Sequence, residues 1–118
     1  MGRLTTHVLD TAHGCPAADV EITLWAIGAD LGRRRLLTRR TNADGRVDGA
    51  LLEGPALVAG VYELVFAVGA YFHLRGLDLP DPAFLDEVPL RVGIADPSLH
   101  WHVPLLVSPW SYSTYRGS

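Results

Sequence analysis

Apolar residues return at every second position through several short runs of this sequence, and that period leaves room for little except β-strands. From Val20 to Ile27 the residues Val20, Ile22, Leu24 and Ala26 share one face, as a pleated strand requires when one side meets a core. Val88, Leu90, Val92 and Ile94 repeat the pattern while Pro89, Arg91 and Gly93 point away, and from Val61 to Val68 it falls on Tyr62, Leu64, Phe66 and Val68. Turn-forming residues separate the runs at Gly14-Cys15-Pro16, Asn42-Ala43-Asp44-Gly45, Gly54-Pro55 and Asp96-Pro97-Ser98, supplying positive φ or a φ fixed near −65°. Helix is expected only between Tyr71 and Glu87, where Tyr71 to Arg75 makes one or two turns before Pro80 and Pro82 stop it. Many short strands at this spacing predict an all-β sandwich or barrel.

The chain has 118 residues, 48% of them apolar and 19% charged, which suits one compact domain spanning residues 1–118 with a single core. Cys15 is the only cysteine, so an intrachain disulfide is excluded and the residue reads as incidental. The segment Met1 to His7 lacks the apolar stretch of a signal peptide, no run is long enough to span a bilayer, and the expected compartment is the cytoplasm. A net charge of −3 argues against nucleic acid or an anionic membrane as partner. The one basic run, Arg33, Arg34, Arg35, Arg39 and Arg40, reads as a solvated strand edge that resists aggregation. All 10 basic residues are Arg, so lysine nucleophiles and Schiff bases are excluded.

The most informative segment runs from Leu99 to Ser108. As a strand it sends Leu99, Trp101, Val103, Leu105 and Val107 to the core and places His100 and His102 together on the opposite face with Pro104 and Leu106. An apolar Leu106 beside paired imidazoles suggests a face covered by another subunit. Between Arg3 and Asp10, Thr5, His7 and Leu9 form the face opposite Leu4, Thr6 and Val8, so His7 can join the same patch. Arg46 follows the Asn42–Gly45 turn and can offer a planar fork of donors to an anion or a urea-like group. Three imidazoles and a water also make a hydrolytic zinc site, and His7, His100 and His102 leave that alternative open. There is no Gly-x-Ser-x-Gly elbow, phosphate-cradling loop or dinucleotide fingerprint.

Taken in order, Leu4-Thr5-Thr6-His7-Val8-Leu9-Asp10-Thr11 with Gly14-x-Pro16-Ala17, Thr41-Asn42-x-Asp44-Gly45-Arg46, His100-Trp101-His102-Val103-Pro104-Leu105-Leu106 and Ser108-Pro109-x-x-Tyr112-Ser113-Thr114-Tyr115-Arg116-Gly117-Ser118 resemble the signature blocks of the 5-hydroxyisourate hydrolases of the transthyretin-like family. The resemblance implies a transthyretin-like sandwich of two four-stranded antiparallel sheets with one short helix, assembled as a homotetramer with active sites at subunit interfaces. It implies hydrolytic opening of 5-hydroxyisourate to 2-oxo-4-hydroxy-4-carboxy-5-ureidoimidazoline in urate breakdown, without metal or other cofactor. It places His7, Arg46, His102 and Ser118 in the catalytic set, and His7, Arg46, His100, Tyr115, Arg116 and Gly117 around the substrate. In this reading either His7 or His102 serves as the base, with His102 favoured and His7 then its orienting or proton-passing partner, and Arg46 is the stabiliser of the oxyanion; the residues alone do not rank the two imidazoles.

Two positions depart from the family pattern. Trp101 stands where Tyr is common, and Trp110-Ser111 replaces Tyr-Gly. The rival class is a non-catalytic carrier of the transthyretin kind. Such a carrier lacks the terminal Tyr-Arg-Gly-Ser and the His/Arg constellation, and it uses a channel lysine that this chain does not contain.

Overall fold

A computed structural model describes residues 1–117. Among these described residues nine strands lie in two sheets: β1 (Arg3–Asp10), β2 (Cys15–Pro16), β3 (Glu21–Ile27), β4 (Arg33–Arg40), β5 (Leu52–Glu53), β6 (Gly60–Phe66), β7 (Val88–Ile94), β8 (His100–Val107) and β9 (Tyr112–Thr114). One α-helix, α1 (Val68–Leu74), follows β6, and a 3-10 turn covers Gly54–Ala56. One sheet has the order β4-β3-β6-β7; the other has β2-β1-β8-β9, with β5 also paired to β1.

The alternating residues fill the space between the sheets. Leu4 and Val8 of β1, Ile22 and Leu24 of β3, Leu64 and Phe66 of β6, Val88 of β7 and Leu105 of β8 are buried in one continuous core. The expected face of β8 holds for Val103, Leu105 and Val107. Leu99 precedes the strand and is 45% exposed, whereas Trp101 is half-buried and rests against the core.

All but one of the strand pairings are antiparallel. The exception is central: β1 and β8 run parallel, with Thr5 opposite His102 and Arg3 opposite His100. A parallel neighbour cannot be reached by a tight turn, and here most of the chain intervenes.

The helix begins three residues before its expected start at Tyr71, because Val68, which fits the strand alternation, turns into it directly. Val68, Gly69, Tyr71 and Phe72 are buried on its inner side. Gly69 donates its N–H to the Asp86 carbonyl at 2.8 Å, and an added Cβ there would lie 3.1 Å from the Asp86 backbone. Cys15, expected in a turn, pairs in a two-residue strand with Asp10.

The arginine run forms β4, an edge strand, with a register shift that lets Leu36 and Leu37 both pack on the core. Arg33 lies 4.3 Å over the Trp25 ring and 3.5 Å from Glu63, which Arg91 also approaches at 3.1 Å. Part of the basic charge is thereby offset within the outer face of its own sheet.

Candidate functional site

Parallel pairing of β1 with β8 sets Arg3, Thr5 and His7 beside His100, His102 and Pro104. The hydroxyl of Thr5 lies between the two imidazoles, 2.8 Å from Nε2 of His100 and 2.8 Å from Nδ1 of His102. The rings stand 6.2 Å apart, tilted by 56°.

Arg46 arrives through the Asn42–Gly45 turn. The Asn42 Oδ1 accepts the N–H groups of Asp44 at 2.9 Å and Arg46 at 3.2 Å, an Asx-type closure that makes the turn rigid. Gly45 adopts a φ of 76°, and its carbonyl accepts the Val8 N–H at 2.8 Å. A Cβ at this position would sit 2.4 Å from the Val8 carbonyl oxygen, so only glycine brings the turn this close to β1. His7 fastens the same turn, with Nε2 2.8 Å from the Asp44 carbonyl. A carbonyl only accepts, so Nε2 of His7 carries a proton and its available lone pair is on Nδ1. His7 and Arg46 are also bridged through their backbones.

The result is a recess of about 430 Å³ lined by Arg3, Thr5, Arg46, Val47, His100 and His102, among others. Burial holds His102 below the ordinary imidazole range, and the positive charge of Arg46, with those of His100 and His7 when protonated, adds to that effect. A neutral imidazole facing a cationic guanidinium is thus the ground state near neutral pH, a combination able to take a proton and to stabilise a developing anion.

The tail reaches His102 from another side. Beside β8, β9 is anchored by the Thr114 hydroxyl donating to the Pro104 carbonyl at 2.7 Å, and further on the Gly117 N–H donates to the His102 carbonyl at 2.8 Å. Arg116 lies 4.1 Å over the Trp101 ring, with Nη2 3.4 Å from the His100 carbonyl. Tyr115 and Arg116 line a second cleft of about 280 Å³ with Val92, Ile94, Trp101 and His102. His100, His102 and Arg46 therefore meet in the first recess, His7 supports it from behind the turn, and Tyr115 and Arg116 line the second, with His102 common to both. Ser118 lies outside the described residues.

Gly117 packs against the imidazole so closely that a Cβ would lie 2.5 Å from Cδ2 of His102. Gly117→Ala must move the ring or the tail, and misplacements of about an ångström cost up to about 10²-fold in rate. The expected result is a loss of about tenfold in kcat/KM in a protein with unchanged thermal stability.

Sequence reasoning did not single out Thr5 or Arg3 as members of the site. The strand parity puts Thr5 on the face of His7, but its place between two imidazoles follows from a pairing that no local pattern announces. The zinc alternative needs His7 to join the other two imidazoles. His7 instead bonds Asp44, and among the described residues no group of three His, Cys, Asp or Glu side chains is arranged to hold a metal.

In class, the molecule is a two-sheet β-sandwich carrying a histidine and arginine recess on the outer face of one sheet. The HIUase/Transthyretin family pattern matches residues 4–117, and the chain belongs to that family. The 5-hydroxyisourate hydrolase of Ralstonia nicotianae is 65% identical over 118 residues, covering 100% of both chains. Among solved structures, (S)-allantoin synthase matches with a TM-score of 0.93 and 47% identity over 99% of this chain, which spans 44% of that one. The 5-hydroxyisourate hydrolase of Klebsiella pneumoniae matches with a TM-score of 0.82 and 34% identity over 100% of both.

Proposed function

We propose that the chain is a 5-hydroxyisourate hydrolase of urate breakdown, acting as one domain in the cytoplasm without a metal or other cofactor. The observation that carries this reading is the convergence of His102, held neutral, and cationic Arg46 on one recess, in a chain 65% identical to a 5-hydroxyisourate hydrolase along its whole length. Among the described residues no helix is long and apolar enough to cross a membrane.

Ring opening requires water to add to an amide-type carbonyl carbon. With Nδ1 of His102 engaged by Thr5, Nε2 is the nitrogen that meets the water and takes its proton. Arg46 faces the carbonyl oxygen as negative charge builds on it. Collapse of the adduct breaks the ring C–N bond, and His102 returns the proton to the departing nitrogen. His7 acts by orienting: its bond to Asp44 holds the turn that carries Arg46. His100 and the tail from Tyr115 to Ser118 complete the substrate surroundings.

The recess lies on an outer sheet face that also carries the half-buried Leu9 and Leu106. Covering the Leu9 and Leu106 part of that face with a second copy narrows the recess and makes the site intersubunit while leaving it open to substrate and water, which supports the homotetramer.

The test is the ultraviolet decay of 5-hydroxyisourate, generated in place from urate by urate oxidase, with catalytic amounts of protein. The expected result is rapid decay that a chelator leaves unchanged, from a protein that sediments as a tetramer. Decay abolished by chelator would instead make the chemistry metal-dependent, and no acceleration would move the chain to the carrier class.

A further inference from the structure

Thr5 occupies an unusual place for a strand threonine, because its single hydroxyl oxygen is equidistant from one nitrogen of each imidazole, at 2.8 Å from both. A hydroxyl carries one proton, so it donates to one of these nitrogens and accepts from the other. Two arrangements satisfy that rule. In the first, Nδ1–H of His102 donates to Thr5, whose O–H donates to Nε2 of His100, leaving Nε2 of His102 as a bare base. In the second, every proton has moved one place: Nε2–H of His100 donates to Thr5, whose O–H donates to Nδ1 of His102, leaving Nε2–H of His102 as an acid.

We propose that Thr5 is the central hydroxyl of a two-way proton relay, His102–Thr5–His100, which converts His102 from base to acid within one turnover. The proposal rests on the hydrolase reading. As water adds to the carbonyl carbon, its proton goes to Nε2 of His102. Nδ1 of His102 passes its own proton to Oγ1 of Thr5, the Thr5 proton goes to Nε2 of His100, and Nδ1 of His100 releases one to solvent. When the ring C–N bond breaks, the sequence reverses. Nε2–H protonates the departing nitrogen, Nδ1 is refilled through Thr5 from His100, and His100 regains a proton from solvent. Each atom ends with the protons it began with.

The surroundings favour passing the proton on over storing it. His102 is half-buried, whereas His100 is exposed and can exchange with bulk water. Arg46 and Arg3 line the same recess, and His7 adds its charge when protonated. A positive charge on His102 is disfavoured there by burial first, then by Arg46, and by His100 and His7 when they carry a proton charge. The relay lets His102 accept and return a proton while remaining neutral between the two steps. The geometry is a direct consequence of the parallel register, which sets Thr5 opposite His102 and Arg3 opposite His100.

The test compares Thr5→Val, which keeps the shape and strand preference but removes the hydroxyl, with Thr5→Ser, which restores it. Thr5→Val is expected to lower kcat by about 10²-fold with KM unchanged, and Thr5→Ser to recover most of that loss. The dependence of kcat on deuterium content should be curved for the native protein, where several protons move together, and linear for Thr5→Val. If Thr5→Val does not fold, His100→Leu removes the exposed end of the relay and should give the same loss in kcat and the same linear dependence.

Nitrogen NMR of the substrate-free protein provides a readout that does not depend on the reaction. The two imidazoles should share one tautomer in the native chain, both Nδ1–H or both Nε2–H, and lose that correlation in Thr5→Val. A native protein that shows the correlation but does not turn over 5-hydroxyisourate would overturn the hydrolase assignment and leave the hydroxyl bridge standing. Native kcat in Thr5→Val, or uncorrelated tautomers in the native protein, would overturn the relay.

Discussion

His102→Asn is expected to lower kcat for 5-hydroxyisourate by about 10³-fold at neutral pH, the middle to upper range for loss of a positioned general base. Asparagine approximates the volume of the ring and can still bond Thr5 through its amide, so the fold and the β1–β8 register should survive. What it lacks is a titratable nitrogen facing the recess. The pH dependence sharpens the expectation. Burial, then Arg46, His100 and His7, hold the His102 imidazole below its ordinary range, so the base is already neutral where a free histidine, at about 6.5, would still be half protonated. The acid limb of kcat/KM should therefore fall below that value. Removing the guanidinium in Arg46→Gln takes away one positive neighbour, so the limb should move upward while burial keeps it short of the free value. An unchanged kcat in His102→Asn would remove this residue from the base's role.

The largest effect on stability is expected at Asp10, which lies away from the chemistry. Its carboxylate is buried, accepting the Tyr71 hydroxyl at 2.7 Å, Nδ1 of His13 at 2.6 Å and the His13 backbone N–H at 3.0 Å. It thereby ties the end of β1 to both α1 and the turn leading to β2. Asp10→Ala strands the Tyr71 hydroxyl in the interior and should cost about 3 kcal/mol of folding free energy, measured by denaturant titration.

Burial alone would raise the Asp10 carboxyl, but the bonds from Tyr71 and His13 outweigh it and bring the group below its ordinary value. The folded state thus prefers the ionised form. The contribution is complete above the unfolded value of about 3.9 and is lost as the pH falls through the folded one. The native protein should therefore lose stability below about pH 4 more steeply than Asp10→Ala. Equal acid sensitivity in the two proteins would show that the carboxylate is not ionised in the fold.

Elements with a clean period of two were legible from the residues alone. Val88–Ile94 and Arg3–Asp10 form strands at their expected positions, and the parity of the His100–Val107 segment placed both imidazoles on one face. Val68 was harder, since an apolar residue in step with the preceding strand gives no local sign that the chain turns helical there. That turn is held by Ala67 donating to the Glu21 carbonyl and Gly69 to the Asp86 carbonyl, contacts set by distant segments. Trp101 followed the core parity only in part, because it lies at the start of its strand, where Arg116 covers the ring. Thr5 and the Asp10, His13 and Tyr71 cluster were least legible. Their roles exist only after residues from separate elements meet, and a threonine or aspartate in a strand carries no mark of that partner. The split of the tail, with Gly117 on His102 and Arg116 on Trp101, is likewise a matter of packing.

Thr5 and His102 are separated by 97 positions, and this spacing decides when the site comes into being during synthesis. The strands of the other sheet follow one another more closely along the chain and can associate while translation continues. Throughout that time β1 waits with one side of its backbone unpaired, because its parallel neighbour has not yet left the ribosome. Loops of such length close late and slowly. A stalled or truncated product lacking β8 would therefore be not a weakened enzyme but a sticky strand edge without its natural cover. Quality control of the nascent chain and acquisition of catalytic competence thus hinge on the same late docking event.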